Sequence, residues 1–278
     1  MTTFTPSFRR VVSLNRDLVL IPLIENAVQQ CAFPKKFSVT FEGYTATREP
    51  DGWFHPSTHP TMDARKLYYY LARPEKWTED EFPYGARMSV LMGSATHDIF
   101  QHVMTEMGLL LQPKGTCVAC GKTHGRRKGQ CNEWGVRDDN LGRRGHIDGL
   151  FEDLPKWGEG IFDLKTCAPP VIRGIQSHDL DAFKIKWPKY YAQAQEYMAL
   201  TGKVRTLILF LAMSEGWDMR EFTIPRDDSF IASMEAKYRV VRQHVEMGTP
   251  PPVACCSTRA SARKCPASAC PVKIGFAA

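Results

Sequence analysis

The sequence predicts an α/β protein with a central mixed β-sheet flanked by helices. Three observations lead there. Periodic segments follow in the order helix, strand, strand, helix, strand, strand, helix, which suits a sheet covered by helices rather than a bundle or a sandwich. Residues 207–213 form a short, unbroken apolar run of the kind found in a strand buried on both faces. The chain has 278 residues, 43% of them hydrophobic and 24% charged, which is enough for one sizeable core and too apolar for wholesale disorder.

Residues 18–30 have helical character, residues 37–47 suit a strand or hairpin, and residues 63–71 suit a short helix. Residues 84–110, rich in Met, Leu, Val and Phe, predict a long helix. Residues 115–139 have no usable periodicity and many Gly, Lys and Arg, so they read as an insertion loop. Residues 144–151 and 160–166 alternate in character and are joined by a turn-rich stretch holding Pro155, Gly158 and Gly160; they predict paired strands. Residues 179–200 are helical, with Pro188 opening a second helix. Residues 204–213 and 217–224 predict a strand pair joined through Ser214, Glu215 and Gly216. Residues 227–246 predict an amphipathic helix, ended by Pro250, Pro251 and Pro252. The resulting division is an N-terminal segment over 1–60, a core over 61–250 with an insertion at 112–140, and a cysteine-rich tail over 251–278.

No run approaches the roughly 18 apolar residues that span a bilayer, so no membrane partner is expected. Residues 1–10 are polar and hold Arg9 and Arg10, with no apolar stretch before a small-residue cleavage site. The expected compartment is therefore the cytoplasm. Net charge is +6, a modest value whose distribution says more than its size. Residues 107–132 carry no acid but hold Lys114, Lys122, Arg126, Arg127 and Lys128. Residues 253–278 again lack acids and hold Arg259, Arg263, Lys264 and Lys273. Two acid-free basic segments fit a polyanion such as DNA, or simply two solvated loops.

The chemistry concentrates in two short runs, Gly145-His146-Ile147-Asp148-Gly149 and Phe162-Asp163-Leu164-Lys165-Thr166. On a strand, Asp163 and Lys165 point the same way, and a neighbouring strand can bring Asp148 beside them. Paired carboxylates make a hard-oxygen site suited to Mg²⁺ or Mn²⁺. A lysine there can orient or help deprotonate a water that attacks phosphorus. Downstream, Gln193 and Tyr197 are four apart and share a helix face. Upstream, His97 lies within the long helix, either as a nitrogen ligand to the same metal or as a core histidine. The order counts for more than any one piece: helix His, Gly-x2-Asp strand, Asp-x-Lys-Thr strand, Gln-x3-Tyr helix.

That order resembles the RecB-type branch of the PD-(D/E)XK nuclease superfamily, and more closely its phage-encoded and CRISPR-associated exonucleases. The resemblance covers about residues 57–270. It implies a restriction-endonuclease-like core and hydrolysis of DNA phosphodiesters, often from an end. It places metal and catalysis on His97, Asp148, Asp163 and Lys165, with Gln193 and Tyr197 shaping the site and the substrate path. The implied setting is recombination, repair or phage DNA processing, with a recombination or annealing protein as a further partner. Two other readings remain open: a catalytically silent DNA-binding module on a nuclease fold, and a sequence-specific endonuclease. An intact Asp148, Asp163 and Lys165 argues against the first; the Gln-x3-Tyr helix and the tail cysteines argue against the second.

Nine cysteines stand at 31, 117, 120, 131, 167, 255, 256, 265 and 270. Clustered cysteines without a secretion signal suggest metal more than disulfides. Cys117-x2-Cys120-x3-His124-x6-Cys131 has the knuckle spacing of a structural zinc site, and three thiolates with one imidazole close a tetrahedron. Cys255, Cys256, Cys265 and Cys270 lie in the tail, with Pro266 and Pro271 following the last two. The resemblance implies a 4Fe–4S cluster held by three tail cysteines and an earlier one. Met62 occupies about that earlier position in this sequence. Either Cys255 and Cys256 both ligate, or Cys31 substitutes, or the tail holds a second zinc. Cys167 reads as a small buried residue.

Overall fold

The computed structural model describes residues 18–29, 50–77, 83–127, 129–175, 179–213, 218–252, 258 and 265–271. The strand or hairpin expected over 37–47 falls outside the described residues.

The helices are α1 (Ile21–Gln29), α2 (Ala64–Ala72), α3 (Tyr84–Glu106), α4 (Pro169–Arg173), α5 (Leu180–Lys186), α6 (Pro188–Thr201) and α7 (Asp228–Glu246). The strands are β1 (Trp134–Asp138), β2 (Arg143–Ile147), β3 (Gly149–Leu154), β4 (Gly158–Cys167), β5 (Arg205–Ala212) and β6 (Met219–Pro225). The four-stranded sheet runs β3-β4-β5-β6, and β1-β2 form a separate antiparallel pair. β4 and β5 are parallel, while β3-β4 and β5-β6 are antiparallel, so the sheet is mixed as expected.

β5 fixes the layering. Leu207, Leu209 and Leu211 pack on one face with Leu20, Ile21 and Ile24 near and within α1, and with Met104 of α3. Ile208, Phe210 and Ala212 pack on the other with Tyr191, Ala194, Tyr197 and Met198 of α6. Both faces are dry, which is why residues 207–213 read as unbroken apolar sequence rather than as an alternation. The pleat carries over to β4: Phe162 and Leu164 join the α1/α3 face, while Ile161 joins the α6 face. Asp163 and Lys165 share the α6 face with Ile161 by the same alternation.

Local chemistry sets the helix ends. Asp63 accepts from Arg65 N, Asp179 from Asp181 N and Ala182 N, and Asp227 from Phe230 N. Each such cap satisfies donors that the helix itself leaves orphaned. Gly202 ends α6 in the left-handed region, φ 73°. Glu221 of β6 docks α1 from outside: its buried carboxylate accepts from Leu20 N and Ile21 N, each at 3.0 Å, and from Val19 N. A carboxylate there also meets the positive end of the helix dipole.

A third cluster joins α2 and α7 to the segment before α2 and to the tail. Phe54, fully buried, stacks on Tyr238 at 4.2 Å between ring centroids, and Cys265 and Cys270 lie in the same cluster. Met62 packs against this cluster from its rim. Among the described residues, no helix is long and apolar enough to cross a membrane.

Two expectations need correction. The run read as one strand over 144–151 is two, β2 and β3, broken at Asp148, and each half belongs to a different sheet. The physical reason is the Asp148 side chain, whose Oδ2 accepts from Leu164 N of β4 at 2.7 Å. The insertion read as loop to 139 ends in β1, which pairs with β2 in the register Gly135↔His146.

Candidate active site

β4 presents Asp163 and Lys165 from the middle of the sheet, where parallel pairing to β5 fixes them opposite Ile208 and Phe210. Asp163 is 3% exposed. Lys165 Nζ donates to Asp163 Oδ1 at 2.9 Å and lies 2.7 Å from Oδ2, and it also donates to Gln193 Oε1 at 2.9 Å. Gln193 Nε2 donates in turn to Tyr197 OH at 3.3 Å, and Tyr197 OH donates to the His146 carbonyl at 2.5 Å. The Gln-x3-Tyr spacing thus forms one hydrogen-bonded line from α6 to the lysine on one side and to β2 on the other. The Lys165 ammonium also stands 5.0 Å from the centroid of the Tyr190 ring, a cation–π contact that the sequence did not single out.

Asp148 reaches the same place from the β2–β3 break. Its Oδ1 lies 3.3 Å from His97 Nδ1 of α3. Helix α3 can come this close because Gly93 crosses Thr166, where an added Cβ would stand 2.8 Å from Oγ1. The structure therefore brings together all six residues picked from sequence: His97, Asp148, Asp163, Lys165, Gln193 and Tyr197.

The electrostatics follow from burial against close charge. Burial and then the Asp148 carboxylate push Asp163 above the ordinary aspartate range, and Lys165 offsets this only in part. Burial also raises Asp148, but His97 and Lys165 outweigh it and leave that carboxyl below its ordinary value. Burial disfavours charge on His97 and Lys165, yet the carboxylates prevail and raise both. Two buried acids thus share limited positive charge.

Asp163 Oδ2 supplies a test of whether a cation fits. It is buried, and it has no hydrogen bond of good geometry among the described residues although the Lys165 ammonium is near. A buried carboxylate oxygen whose near partner is a single ammonium, beside a second carboxylate and an imidazole, keeps lone-pair capacity that suits a hard divalent cation. A cleft reaches Asp148 from the insertion side, lined by Gln101, Gly125, Arg126, Asn132 and Trp134 among others. Asp98 holds its wall together, accepting from Asn132 Nδ2 at 2.6 Å and pairing with Arg126 at 3.4 Å.

The insertion cysteines form a group, but not with the expected histidine. Ligand atoms of Cys117, Cys120, Cys131 and His146 all lie within 4.8 Å of one another, a set that could hold a metal. Cys117 Sγ and His146 Nε2 are 3.3 Å apart. His124 is instead spent locally, its Nδ1 3.1 Å from the Cys131 carbonyl and its backbone bridged to Cys131. The structure thus places His146, and not the expected His124, beside the three sulfurs. Nearness in sequence favoured His124, whereas β1-β2 pairing, invisible in the spacing, carries His146 to the sulfurs. Burial, reinforced by the neighbouring Cys117 and Cys120 sulfurs, pushes the Cys131 thiol up. In the tail, Cys265 and Cys270 are buried, while Cys255, Cys256 and Cys31 lie outside the described residues. Cys167, at the end of β4, is half-buried.

No family model matches the chain, and no curated protein matches it. Among solved structures, it is similar to an alkaline exonuclease from Laribacter hongkongensis, with 15% identity over 71% of this chain and 89% of that one and a TM-score of 0.44. The same exonuclease in complex with dAMP gives 16% identity over the same shares and a TM-score of 0.44. A phage-related exonuclease from Haemophilus somnus 129PT gives 14% identity over 66% of this chain and 79% of that one, with a TM-score of 0.40.

Proposed function

We propose that this chain is a metal-dependent DNA nuclease of the PD-(D/E)XK type, acting as an exonuclease in recombination, repair or phage DNA processing. The observation that supports it best is the meeting of Asp148, Asp163 and Lys165 beside His97 and Gln193, with three elements and the β2–β3 break converging on one buried charged site. Buried acids with perturbed titration, one of them reached by a cleft, are the kind of cluster at which functional sites are found.

In this reading Asp148 and Asp163 hold Mg²⁺ or Mn²⁺, with His97 as a nitrogen ligand. When bound, such an ion would lower the pKa of a water and offset charge developing on the phosphate. Lys165 orients that water for attack on phosphorus, in a reaction where a water oxygen–phosphorus bond forms and a phosphorus–sugar oxygen bond breaks. Gln193 and Tyr190 hold the Lys165 ammonium on this path, and Tyr197 anchors Gln193. Arg126, on the cleft wall, supplies positive charge for the backbone of the DNA. The preference for ends rests on the motif order from His97 to Tyr197.

The experiment is digestion of linear and of covalently closed circular DNA with Mn²⁺. Loss of the linear form alone supports the exonuclease. Nicking or linearisation of the circle indicates an endonuclease, and binding without cleavage of either indicates a silent module.

A further inference from the structure

The insertion at residues 112–133, before β1, has little apolar material of its own; among its described residues the buried cluster is Cys117, Ala119 and Cys131. Something other than a hydrophobic core must hold it against β2. We propose that Cys117, Cys120, Cys131 and His146 bind one structural zinc ion, which clamps the insertion to β2. Three sulfurs and one imidazole nitrogen, mutually within 4.8 Å, are a closed soft donor set of the kind zinc takes when it serves structure.

The surrounding backbone is shaped to this set. Gly121, φ 75°, follows Cys120 and turns the chain back. Cys117 N donates to Lys122 O and Gly121 N to Cys117 O, each at 2.8 Å, closing the knuckle. Opposite His146 in the β1-β2 register stands Gly135, where a Cβ would come within 2.4 Å of Cys117 Sγ. The sulfur thus occupies the space that any side chain at 135 would fill. Arg144, two residues before His146 on β2, donates to the Ala119 carbonyl at 3.4 Å and so meets the knuckle from the strand side.

The clamp bears on two features of the nuclease reading, although it stands without that reading. His146 gives its carbonyl to Tyr197, so one residue serves both the sulfur cluster and the line of contacts ending at Lys165. Gly125 and Arg126 of the clamped loop line the cleft that reaches Asp148.

The test reads metal and loop order rather than cleavage of DNA. Zinc content is compared among the full-length wild type, Cys117→Ser, His124→Ala, His146→Ala and His146→Cys, and cobalt(II) is substituted for zinc to record its visible spectrum. Cys117→Ser is expected to lose one equivalent of zinc, whatever the tail holds. His124→Ala is expected to keep both the ion and the spectrum, and His146→Ala to bind zinc at least about tenfold more weakly. His146→Cys, the safeguard should the alanine variant misfold, is expected to keep the ion with bands shifted as sulfur replaces nitrogen. Trypsin should cut after Arg127 faster in Cys117→Ser than in the wild type. Unchanged zinc in Cys117→Ser, iron in place of zinc, loss of the ion from His124→Ala but not from His146→Ala, or equal trypsin rates would each overturn the proposal.

Discussion

Glu196 sits fully buried on α6, three residues past Gln193, and its surroundings set a pH dependence that has nothing to do with cleavage. Burial pushes its carboxyl up to about 7, against the attraction of Arg143 and the hydrogen bond from Tyr238 OH at 2.8 Å. A carboxyl whose folded pKa lies above its unfolded value binds more protons when folded. Its contribution is therefore complete below the unfolded pKa of about 4.5 and is lost as pH rises through about 7. The whole effect is on the order of 3 kcal/mol. Denaturant melts of the wild type at pH 5 and pH 8 should differ more than those of Glu196→Gln, and equal differences would contradict the assignment. His97 calls for another comparison. If it ligates the proposed ion, His97→Ala raises the Mn²⁺ concentration needed for half-maximal cleavage about tenfold or more while Tm shifts little. A large drop in Tm with normal Mn²⁺ activation would make it a core histidine instead.

At the scale of elements, Glu221 tests how α1 is docked. Glu221→Ala removes the acceptor shared by Val19, Leu20 and Ile21 amides. It should lower stability by about 2–3 kcal/mol, as expected for a buried charged hydrogen bond. Hydrogen exchange should locate the effect at α1, and unchanged protection there would refute the docking role. Elements also explain what the sequence could and could not show. Helices α3, α6 and α7 and strands β5 and β6 were legible because a long periodic or unbroken apolar pattern leaves few alternatives. β1 was not: its five residues sit at the end of a glycine-rich basic loop, and only pairing with β2 makes them a strand. The break at Asp148 was equally hidden, since the hydrogen bond to Leu164 N that causes it joins two strands. Spacing alone put Asp163 with Lys165 and Gln193 with Tyr197, because strand and helix periods fix their faces, while joining the two pairs at one site is what the resemblance implied. His146 could not be grouped this way, because its place among the sulfurs depends on which strand lies beside which.

For the molecule as a whole, two packed clusters meet at the charged site. The α1/α3 face brings His97, the α6 face brings Gln193 and Tyr197, and β4 between them brings Asp163 and Lys165. Arg143 ties the third cluster to this frame. Its buried guanidinium lies 2.8 Å from Asp138, 3.0 Å from Glu235 of α7 and 3.7 Å from Glu196 of α6. Arg143→Ala leaves these acids without their shared cation and should cost about 3–5 kcal/mol in a denaturant melt; a loss under 1 kcal/mol would show the frame does not depend on it. The central claim is that this frame carries a metal-dependent nuclease. Its most direct test is single-turnover cleavage of end-labelled linear DNA with Mn²⁺ by the wild type, Asp163→Asn and Lys165→Ala, with DNA affinity and Tm measured alongside. The account predicts metal-dependent cleavage by the wild type and a loss of about 100-fold or more in each variant, with binding and folding kept. Wild-type rates in either variant, or no cleavage by the wild type with any divalent metal, would contradict it.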